Sequence, residues 1–331
     1  MQAGCVPPKS DAGLSEQEMM SCKTEYHVLQ ALKRLGHDAE PLVVASELNV
    51  IREAISIRKP HVVFNLLEEF RGLDFYVPYV LGYLELIRQP YTGCNPRGLL
   101  FATSKALQRK ILRHHRILVP DFYVVPYLKK TRRPARMQFP LIVKSATAHG
   151  SVGIAQASVV HDDEKLNERI AFIHHELSND AIIEEYVEGR ELYVALLGNQ
   201  RIEAFPIWEM IFEKLPDGAA NIATSKIKWD TNYQQRIGLK TGAAENLTES
   251  DVKRIIHLCK RAYRVLNQSG YARIDLRMTA DGRVYVIESN PNPQIAIDEE
   301  FAESALMAGV DYESLLTRII QLGTRYHAGL E

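Results

Sequence analysis

The segment from Tyr271 to Pro293, YARIDLRMTADGRVYVIESNPNP, constrains the fold more than any other part of the sequence. Two runs of alternating apolar and polar residues flank Asp281-Gly282, a dipeptide that is favoured in two-residue β-hairpin turns. A two-residue loop pairs the strands so that Asp275 lies directly opposite Glu288. The sequence therefore predicts a β-hairpin in which two carboxylates face each other.

The two faces of this hairpin have opposite character. The same register sets Arg273 opposite Asn290, and because side chains alternate along strands, these two residues share a face with Asp275 and Glu288. The other face is apolar and suits a core, with Ile274, Leu276, Met278, Tyr285 and Ile287. A three-residue loop would shift the pairing by one residue and spoil this arrangement, whereas a four-residue loop would keep it.

Two opposed carboxylates need a counter-charge. Their Cβ atoms lie ~5 Å apart in such a pair, and at an effective dielectric constant of ~20 their repulsion is about 3 kcal/mol. Carboxylate and amide oxygens suit Mg²⁺ that also binds phosphate, so Asp275, Glu288 and Asn290 are candidate metal ligands. Arg273 is placed to neutralise an oxyanion that forms nearby. The alternative interpretation is a solvated strand face of interspersed charges, which the register makes the less favoured of the two.

Composition narrows the classes of function. The net charge of −1 over 331 residues gives no basic excess for binding nucleic acid. The longest apolar runs are too short to span a bilayer, and the N-terminus lacks the apolar centre of a signal peptide. The four cysteines are scattered without a CxxC pair, which indicates reduced thiols. We expect a cytoplasmic protein that does not bind nucleic acid or membranes.

Alternating strands and helices predict a parallel α/β domain over residues 1–103. The expected elements are a helix at 21–36, a strand at 41–45, a helix at 50–57, a strand at 61–67 and a helix at 76–87. No apolar strand precedes the first helix, which indicates a truncated N-terminus or a misassigned start codon.

From residue 104 onward the pattern changes to an α+β arrangement. After a helix at 104–114, paired strands are expected at 122–125 and 140–144, at 182–187 and 190–197, and at 271–278 and 283–288, with helices at 163–177 and 248–268 between the pairs. Residues 214–247 lack apolar periodicity, and so long an irregular stretch is typical of a functional lid. We expect a central subdomain over 104–184 and a C-terminal catalytic subdomain over 185–331 that includes this lid.

A second segment, PLIVKSATAHGSVG at residues 140–153, has the composition of a phosphate site. A buried strand ends in Lys144 and leads into a loop of small residues that allows backbone N–H groups to approach a phosphate. A plain hairpin loop explains this segment about as well.

A third segment, AIIEEYVEGRELYVALL at residues 181–197, sets acids among apolar residues. Glu184, Glu185 and Glu191 suit the amino group of a base and the hydroxyls of a ribose. Solvated acids on a strand face are the alternative, and the segment alone favours that alternative.

Taken together, these segments resemble the ATP-grasp superfamily, and most closely the D-alanine–D-alanine ligase family. The likeness covers roughly residues 60–300 and includes FNLLEE at 64–69, YLELIRQPYTGCNPRGLLFATSKALQRKIL at 83–112, FPLIVKSATAHGSVGIAQ at 139–156, IIEEYVEGRELYVALLG at 182–198 and the ARIDLR and VYVIESNPNP strands. The resemblance implies an ATP-grasp fold, in which the N-terminal α/β domain precedes two α+β subdomains that clasp ATP. It also implies a homodimer.

The resemblance assigns roles to individual residues. The residues implied to bind ATP are Lys105, Lys144, Gly150, Ser151, the adenine linker Glu184, Glu185, Tyr186 and Val187, the ribose acid Glu191 and the lid lysine Lys228. The implied ligands of Mg²⁺, with Mn²⁺ as an alternative ion, are Asp275, Glu288 and Asn290. The implied catalytic residues are Arg273, which stabilises the intermediate, Lys228 and Ser151.

The resemblance also implies a reaction between a small carboxylic acid and an amine. ATP transfers its γ-phosphate to the acid, the amine attacks the resulting acyl-phosphate, and a tetrahedral oxyanion collapses with loss of phosphate. The protein contributes mainly positioning and charge neutralisation, as in other phosphoryl transfers.

The departures from the family pattern cluster on the substrate side. The N-terminal glutamate motif for the first D-alanine has no counterpart, Gly150 replaces a loop serine, and Trp229 replaces a lid tyrosine. RGLDFY stands at 71–76 where the family has a glycine-acidic stretch, and PNPQIAIDEE follows Asn290 in place of small residues. We therefore expect a ligase for an amino acid or peptide-like acid other than D-alanine. The alternatives are a D-alanine–D-alanine ligase with a divergent N-terminus and a nucleotide-binding protein without turnover.

Overall fold

The computed structural model of the protein describes residues 1–7, 16–148, 150, 152–216, 218–224, 226–227 and 230–328. The helices are α1 (Glu16–Arg34), α2 (Asn49–Arg58), α3 (Val77–Leu86), α4 (Pro96–Ala102), α5 (Lys105–His114), α6 (Asp163–Leu177), α7 (Thr231–Arg236), α8 (Glu249–Val265), α9 (Glu300–Met307) and α10 (Tyr312–Arg325). The strands are β1 (Phe122–Val125), β2 (Leu141–Ser145), β3 (Val159–Val160), β4 (Ala181–Glu185), β5 (Arg190–Leu197), β6 (Glu203–Ala204), β7 (Trp208–Phe212), β8 (Leu239–Ala243), β9 (Tyr271–Met278) and β10 (Val284–Pro291). Within the described ranges, helices lack the length and apolar character needed to cross a membrane.

Two antiparallel sheets carry the site. The smaller sheet has the strand order β1-β4-β2-β3, and the larger has the order β10-β9-β5-β7-β8 with β6 paired to β5. The consecutive strands β4 and β5, which the sequence pattern presented as a pair, belong to different sheets because the chain crosses between the sheets at residues 186–189. This crossing brings the predicted adenine linker to the junction of the two sheets.

One face of the larger sheet is closed by α8. The helix begins at Thr248, whose hydroxyl accepts from the Asp251 N–H at 3.1 Å while the Asp251 carboxylate accepts from the Thr248 N–H at 3.3 Å. Such a capping box fixes the start of a helix. The apolar side of α8, with Ile255 and Cys259, packs in one core with Leu276 of β9. The opposite face of β9, which carries Arg273 and Asp275, is therefore the face that can contribute to a functional site.

The first hundred residues form the predicted helices but not the predicted parallel sheet. The segments at 41–45 and 61–67 are not strands. Val63 makes an isolated parallel bridge to Tyr91, and the Val44 N–H donates to the Met1 carbonyl at 2.9 Å. A strand needs a neighbour several residues long to extend its ladder of hydrogen bonds. Because these neighbours offer single pairings, the apolar residues pack as a loop and helix core instead.

The predicted lid at 214–247 contains more regular structure than expected. Both α7 and β8 lie within it, and β8 pairs with β7 from Trp208↔Ala243 to Phe212↔Leu239. The strand lies at the edge of the sheet, where its outward side chains face solvent, and its apolar periodicity is therefore weak.

The hairpin of β9 and β10 reaches the predicted pairing by a different route. Its loop has three residues, 280–282, because the Thr279 N–H donates to the Arg283 carbonyl at 2.9 Å and Gly282 adopts a φ of 81°. Such a loop leaves Val286 opposite Leu276, one residue away from the predicted register. A β-bulge between Val286 and Glu288 then restores the pairing of Glu288 with Asp275 and of Asn290 with Arg273.

Because of the bulge, the side chains of β10 that face the core differ from those that were predicted. Val284 and Val286 face the core, at 6% and 0% exposure, whereas Tyr285 and Ile287 were expected there and remain partly exposed. An extra residue in one strand reverses the alternation of side chains on either side of it. Tyr285 therefore shares its face with Glu288 despite their odd separation in sequence.

Candidate active site

Arg273 and Asn290 converge on the Asp275 carboxylate, and Glu288 lies opposite Asp275 on the paired strand. Arg273 donates to that carboxylate from Nε at 2.8 Å and from Nη2 at 3.1 Å, and Asn290 Nδ2 donates to Asp275 Oδ2 at 2.9 Å. Arg273 Nη1 also donates to Glu300 Oε2 at 2.8 Å. Glu300, at the start of α9, was not predicted because its contact with the hairpin is 27 residues away in sequence.

Lys105 joins this cluster to the predicted phosphate loop. It is the first residue of α5 and is 4% exposed. Its Nζ lies 2.9 Å from Glu288 Oε1 and donates to the Ala148 carbonyl, in the loop after β2, at 2.5 Å. A buried lysine ammonium thus lies between the hairpin of the larger sheet and the glycine loop of the smaller one, where the resemblance expects a phosphate contact.

Burial and neighbouring charges fix the protonation states of Arg273 and Tyr193. Burial lowers the pKa of the Arg273 guanidinium, but the charges of Asp275 and Glu300 more than reverse this effect, so that its pKa lies well above the ordinary value. The guanidinium also lies 4.8 Å from the ring centroid of Tyr193. Burial, reinforced by the charges of Glu191 and Asp275, raises the pKa of the Tyr193 hydroxyl well above its usual range. Arg273 is therefore a fixed positive charge, and Tyr193 stays protonated.

The donor set fits a hard divalent cation. Asp275, Glu288 and Asn290 contribute carboxylate and amide oxygens from facing strand positions. With Glu300, three carboxylates face the two cations Arg273 and Lys105, which leaves one negative charge in the cluster. No three His, Cys, Asp or Glu side chains in the described part of the chain are grouped closely enough to hold a metal ion. The Asn290 amide and oxygens of a bound phosphate would complete the coordination.

Lys144 is held by a buried ion triad. Its Nζ donates to Glu184 Oε2 at 2.8 Å, and Arg109 Nε donates to Glu184 Oε1 at 2.7 Å. Burial raises the pKa of the Glu184 carboxyl, but the charges of Arg109 and Lys144 outweigh it and hold the pKa at about 2. Both carboxylate oxygens are used in this triad, so the Glu184 side chain positions Lys144, whereas the sequence indicated a contact with the base.

Arg109 was missed by the sequence analysis although a signal existed. It is fully buried on α5, beside the buried residues Gln108 and Leu112. A charged residue on the buried face of an amphipathic helix needs a partner, because an unpaired buried charge is costly. The pattern indicated that a partner exists but not that it is Glu184.

The predicted adenine and ribose residues also lie at the junction of the two sheets, which is called the cleft below. Glu185, Tyr186 and Val187 are partly exposed where the chain passes between the sheets. Glu191 Oε1 accepts from the Tyr193 hydroxyl at 2.6 Å. Gly150 lies in the loop after β2 with a φ of 65°. The predicted residues Ser151 and Lys228, and the departure at Trp229, lie outside the described residues, so their roles stay predictions.

Two antiparallel sheets that meet at this charged cluster are the arrangement expected of an ATP-dependent ligase of the ATP-grasp class. The profile of the family described as D-ala D-ala ligase C-terminus matches residues 115–321, which is more than half of the chain. The protein therefore belongs to that family, and the predicted ATP-grasp fold class and ligase class are confirmed.

Relatives match along most of the chain. They include the uncharacterized protein y4sG of Sinorhizobium fredii, 26% identical over 309 residues, which cover 91% of this chain and 88% of that protein. The D-alanine–D-alanine ligase of Desulfotalea psychrophila is 29% identical over 272 residues, which cover 80% and 79% of the two chains. The crystal structure of a D-alanine–D-alanine ligase from Bacillus anthracis complexed with ATP covers 95% of each chain with a TM-score of 0.74 at 22% identity, which shows a shared fold.

Lys144→Ala is expected to raise the KM for ATP about tenfold, or about 1.4 kcal/mol of binding, because it removes the point charge beside the predicted phosphate loop. Initial rates of ADP release at varied ATP concentration measure this change. Lys165→Ala removes an exposed lysine that pairs with Glu168 and serves as the matched control. An unchanged KM in Lys144→Ala would show that the loop is structural.

Proposed function

We propose that the protein is an ATP- and Mg²⁺-dependent carboxylate–amine ligase that forms an amide bond through an acyl-phosphate. Its acid substrate is an amino acid or peptide-like acid other than D-alanine. The observation that carries the proposal is the charged cluster at the junction of the two sheets. Arg273 and Asn290 donate to Asp275, and Glu288, which lies opposite Asp275, is 2.9 Å from Lys105 Nζ. The family resemblance implies a homodimer, and the scattered cysteines without a CxxC pair favour a cytoplasmic location.

The lysines bind and orient the phosphate chain of ATP. Lys144 is fixed by Glu184, and Lys105 is fixed by Glu288 and the Ala148 carbonyl, so both charges are in place before the nucleotide binds. Preorganised charges cost no reorganisation during phosphoryl transfer. Asp275, Glu288 and Asn290 would hold Mg²⁺, which neutralises phosphate charge when it is bound.

Arg273 stabilises the charge that develops on the reacting acid. Asp275 and Glu300 fix its guanidinium on the face of β9 that is open to the cleft. As the amine attacks the acyl-phosphate, the carbonyl oxygen gains negative charge, and a fixed guanidinium nearby lowers the energy of that oxyanion. An arginine suits this role because its charge persists at every physiological pH.

The segment 214–247 excludes water from the reactive acyl-phosphate. Gln156, which follows the glycine loop, donates to the Ala220 carbonyl at 3.0 Å and accepts from the Ala220 N–H at 2.8 Å. This pair of hydrogen bonds ties the segment to the smaller sheet across the cleft. A closed cleft prevents hydrolysis of the intermediate and strengthens every charge interaction inside it.

The substrate side supports an acid other than D-alanine. The chain departs from the family pattern at the loop before Ser151, at Trp229 and after Asn290. Large changes around the substrates with an intact nucleotide site are expected when a ligase keeps its chemistry and changes its acid or amine.

A D-alanine–D-alanine ligase is the second candidate. Relatives of that name are 24% to 29% identical to this chain over most of its length. This similarity favours the same reaction, whereas the sequence departs from the family pattern at positions that the resemblance assigns to the two alanines.

Release of ADP across a panel of acids and amines tests the proposal. Turnover with a pair that lacks D-alanine supports it, whereas turnover restricted to D-alanine supports the second candidate. Tight ATP binding without ADP release from any pair would favour a nucleotide-binding protein without turnover. Omission of Mg²⁺ is expected to abolish ADP release with every active pair.

A further inference from the structure

A buried arginine of β9 joins three segments around the cleft. Arg277 is two residues beyond Asp275, on the same face of the strand, and is 6% exposed. Its Nη1 donates to the Gly189 carbonyl at 3.0 Å. Its Nη2 lies 2.5 Å from Glu191 Oε2 and 2.5 Å from the Asn221 carbonyl. One guanidinium therefore contacts the crossing between the sheets, the predicted ribose acid and the predicted lid.

The lid residues next to Arg277 are held from both sides of the cleft. The Tyr186 hydroxyl, in the predicted adenine linker, donates to the same Asn221 carbonyl at 3.3 Å. Ala220 is held by Gln156 on the side of the smaller sheet. Asn221 Oδ1 is buried and has no hydrogen-bond partner among the described residues, so the lid keeps one acceptor unused at this junction.

The Arg277 contact also sets the orientation of Glu191. The two residues are directly opposite each other on paired strands. Arg277 engages Oε2 and the Tyr193 hydroxyl engages Oε1, so the carboxylate has one orientation. A carboxylate has about four lone-pair sites, and two bonds therefore leave capacity to accept ribose hydroxyls. Glu191 is thus preorganised as an acceptor, and its position depends on the same guanidinium that holds the lid.

We propose that Arg277 is a positioning residue that couples nucleotide binding to closure of the lid at residues 218–224, which Arg277 contacts through Asn221. This inference rests on the proposed ATP site. Opening the lid removes the Asn221 carbonyl from the guanidinium and leaves Arg277 without one of its three acceptors. The Arg277 contact that orients Glu191 is then less constrained. By linkage, a nucleotide that binds the oriented Glu191 more tightly must favour the closed lid to the same extent.

Two substitutions of Arg277 distinguish a role in coupling nucleotide binding to lid closure from a role in the stability of the fold alone. Arg277→Met keeps the bulk and removes every donor, and Arg277→Lys keeps the charge but lacks the planar fork that reaches several acceptors. Arg254→Met is the matched control, because Arg254 also binds one carbonyl, of Gly282, and one carboxylate, of Asp251, each at 2.7 Å on the surface. The readouts are equilibrium binding of a non-hydrolysable ATP analogue with Mg²⁺ and proteolytic cleavage within 214–247.

In the wild type and in Arg254→Met, the analogue is expected to protect the lid from cleavage. Arg277→Met and Arg277→Lys are expected to bind the analogue at least about tenfold more weakly and to lose this protection. Wild-type binding and protection in Arg277→Met would overturn the inference. If neither variant folds, amide hydrogen exchange of the wild type decides, because the inference requires the analogue to slow exchange at 218–224 and 186–189 together. A wild type that binds no nucleotide would instead overturn the proposed function.

Discussion

Glu288→Ala is expected to lower the rate of ADP release by about 1,000-fold, or roughly 4 kcal/mol of transition-state stabilisation, while the fold remains intact. The Glu288 side chain is 20% exposed and supplies one of the two hairpin carboxylates that would hold the metal ion. The β-ladder that pairs Glu288 with Asp275 is made by the backbone, so truncation of the side chain leaves the hairpin in place. The loss of activity would therefore reflect chemistry.

The contact between Glu288 and Lys105 requires a second variant, because Glu288→Ala also removes a partner of that lysine. Glu288→Asp keeps the charge on a shorter side chain and is expected to recover part of the activity at raised Mg²⁺ concentration. Titration of Mg²⁺ against ADP release measures this response. Glu249→Ala, which removes an exposed glutamate paired with Lys253, is the control and should match the wild type. ADP release near the wild-type rate from Glu288→Ala would remove the metal-site assignment.

Helices and the hairpin were predictable from sequence because their signals are local. The period of apolar residues and the cap at Thr248 fix α8 without reference to the rest of the chain. The predicted strands at 41–45 and 61–67 were wrong because strand formation depends on contacts that are not local in sequence. Whether an extended segment becomes a strand depends on a neighbour, and the contacts found here, with Met1 and Tyr91, are single pairings that do not extend into a ladder.

In the hairpin, the predicted pairing of Asp275 with Glu288 was right although the predicted loop length was wrong. Asp281-Gly282 suits a two-residue turn, but a glycine with positive φ equally ends a three-residue loop, which is what forms here. The bulge at Ile287 compensates, and nothing in the alternation of β10 indicates it. Asp275 and Glu288 are thus opposite each other as predicted, while the core residues of β10 are not those predicted.

The candidate site was predictable where its residues share one hairpin and unpredictable where distant segments meet. Asp275, Glu288 and Asn290 followed from alternation along two strands. Glu184 and Arg109 are 75 positions apart, and Arg277 and Asn221 are 56 positions apart. Periodicity indicates only that such a residue is buried, so the partner becomes known from the packing of α5 against the sheets and of the lid against β9.

The second large effect concerns the Glu184 triad, where Glu184→Gln is expected to lower the free energy of unfolding at pH 7 by about 3–5 kcal/mol. The variant leaves Arg109 and Lys144 without the carboxylate that compensates them. Arg109 Nη1 and Nη2 are buried and have no hydrogen-bond partner among the described residues, so its charge depends on Glu184. Urea denaturation at pH 7 measures the loss. Asp163→Asn, which breaks the exposed pair with Arg133, is the control and should hardly move the midpoint.

The same triad sets the sign of a pH dependence. Because folding holds the pKa of Glu184 at about 2, below its ordinary value of 4.5, the wild type gains stability from this carboxylate above about pH 4.5 and loses it as the pH falls towards 2. The two pKa values correspond to about 3 kcal/mol. The difference in unfolding free energy between the wild type and Glu184→Gln should therefore shrink by about 2 kcal/mol between pH 5 and pH 3. A difference that stays constant with pH would show that the charge of Glu184 is not its source.

Addition of Arg109→Met to Glu184→Gln should recover part of the lost stability, because the double variant no longer buries an arginine without a counter-charge.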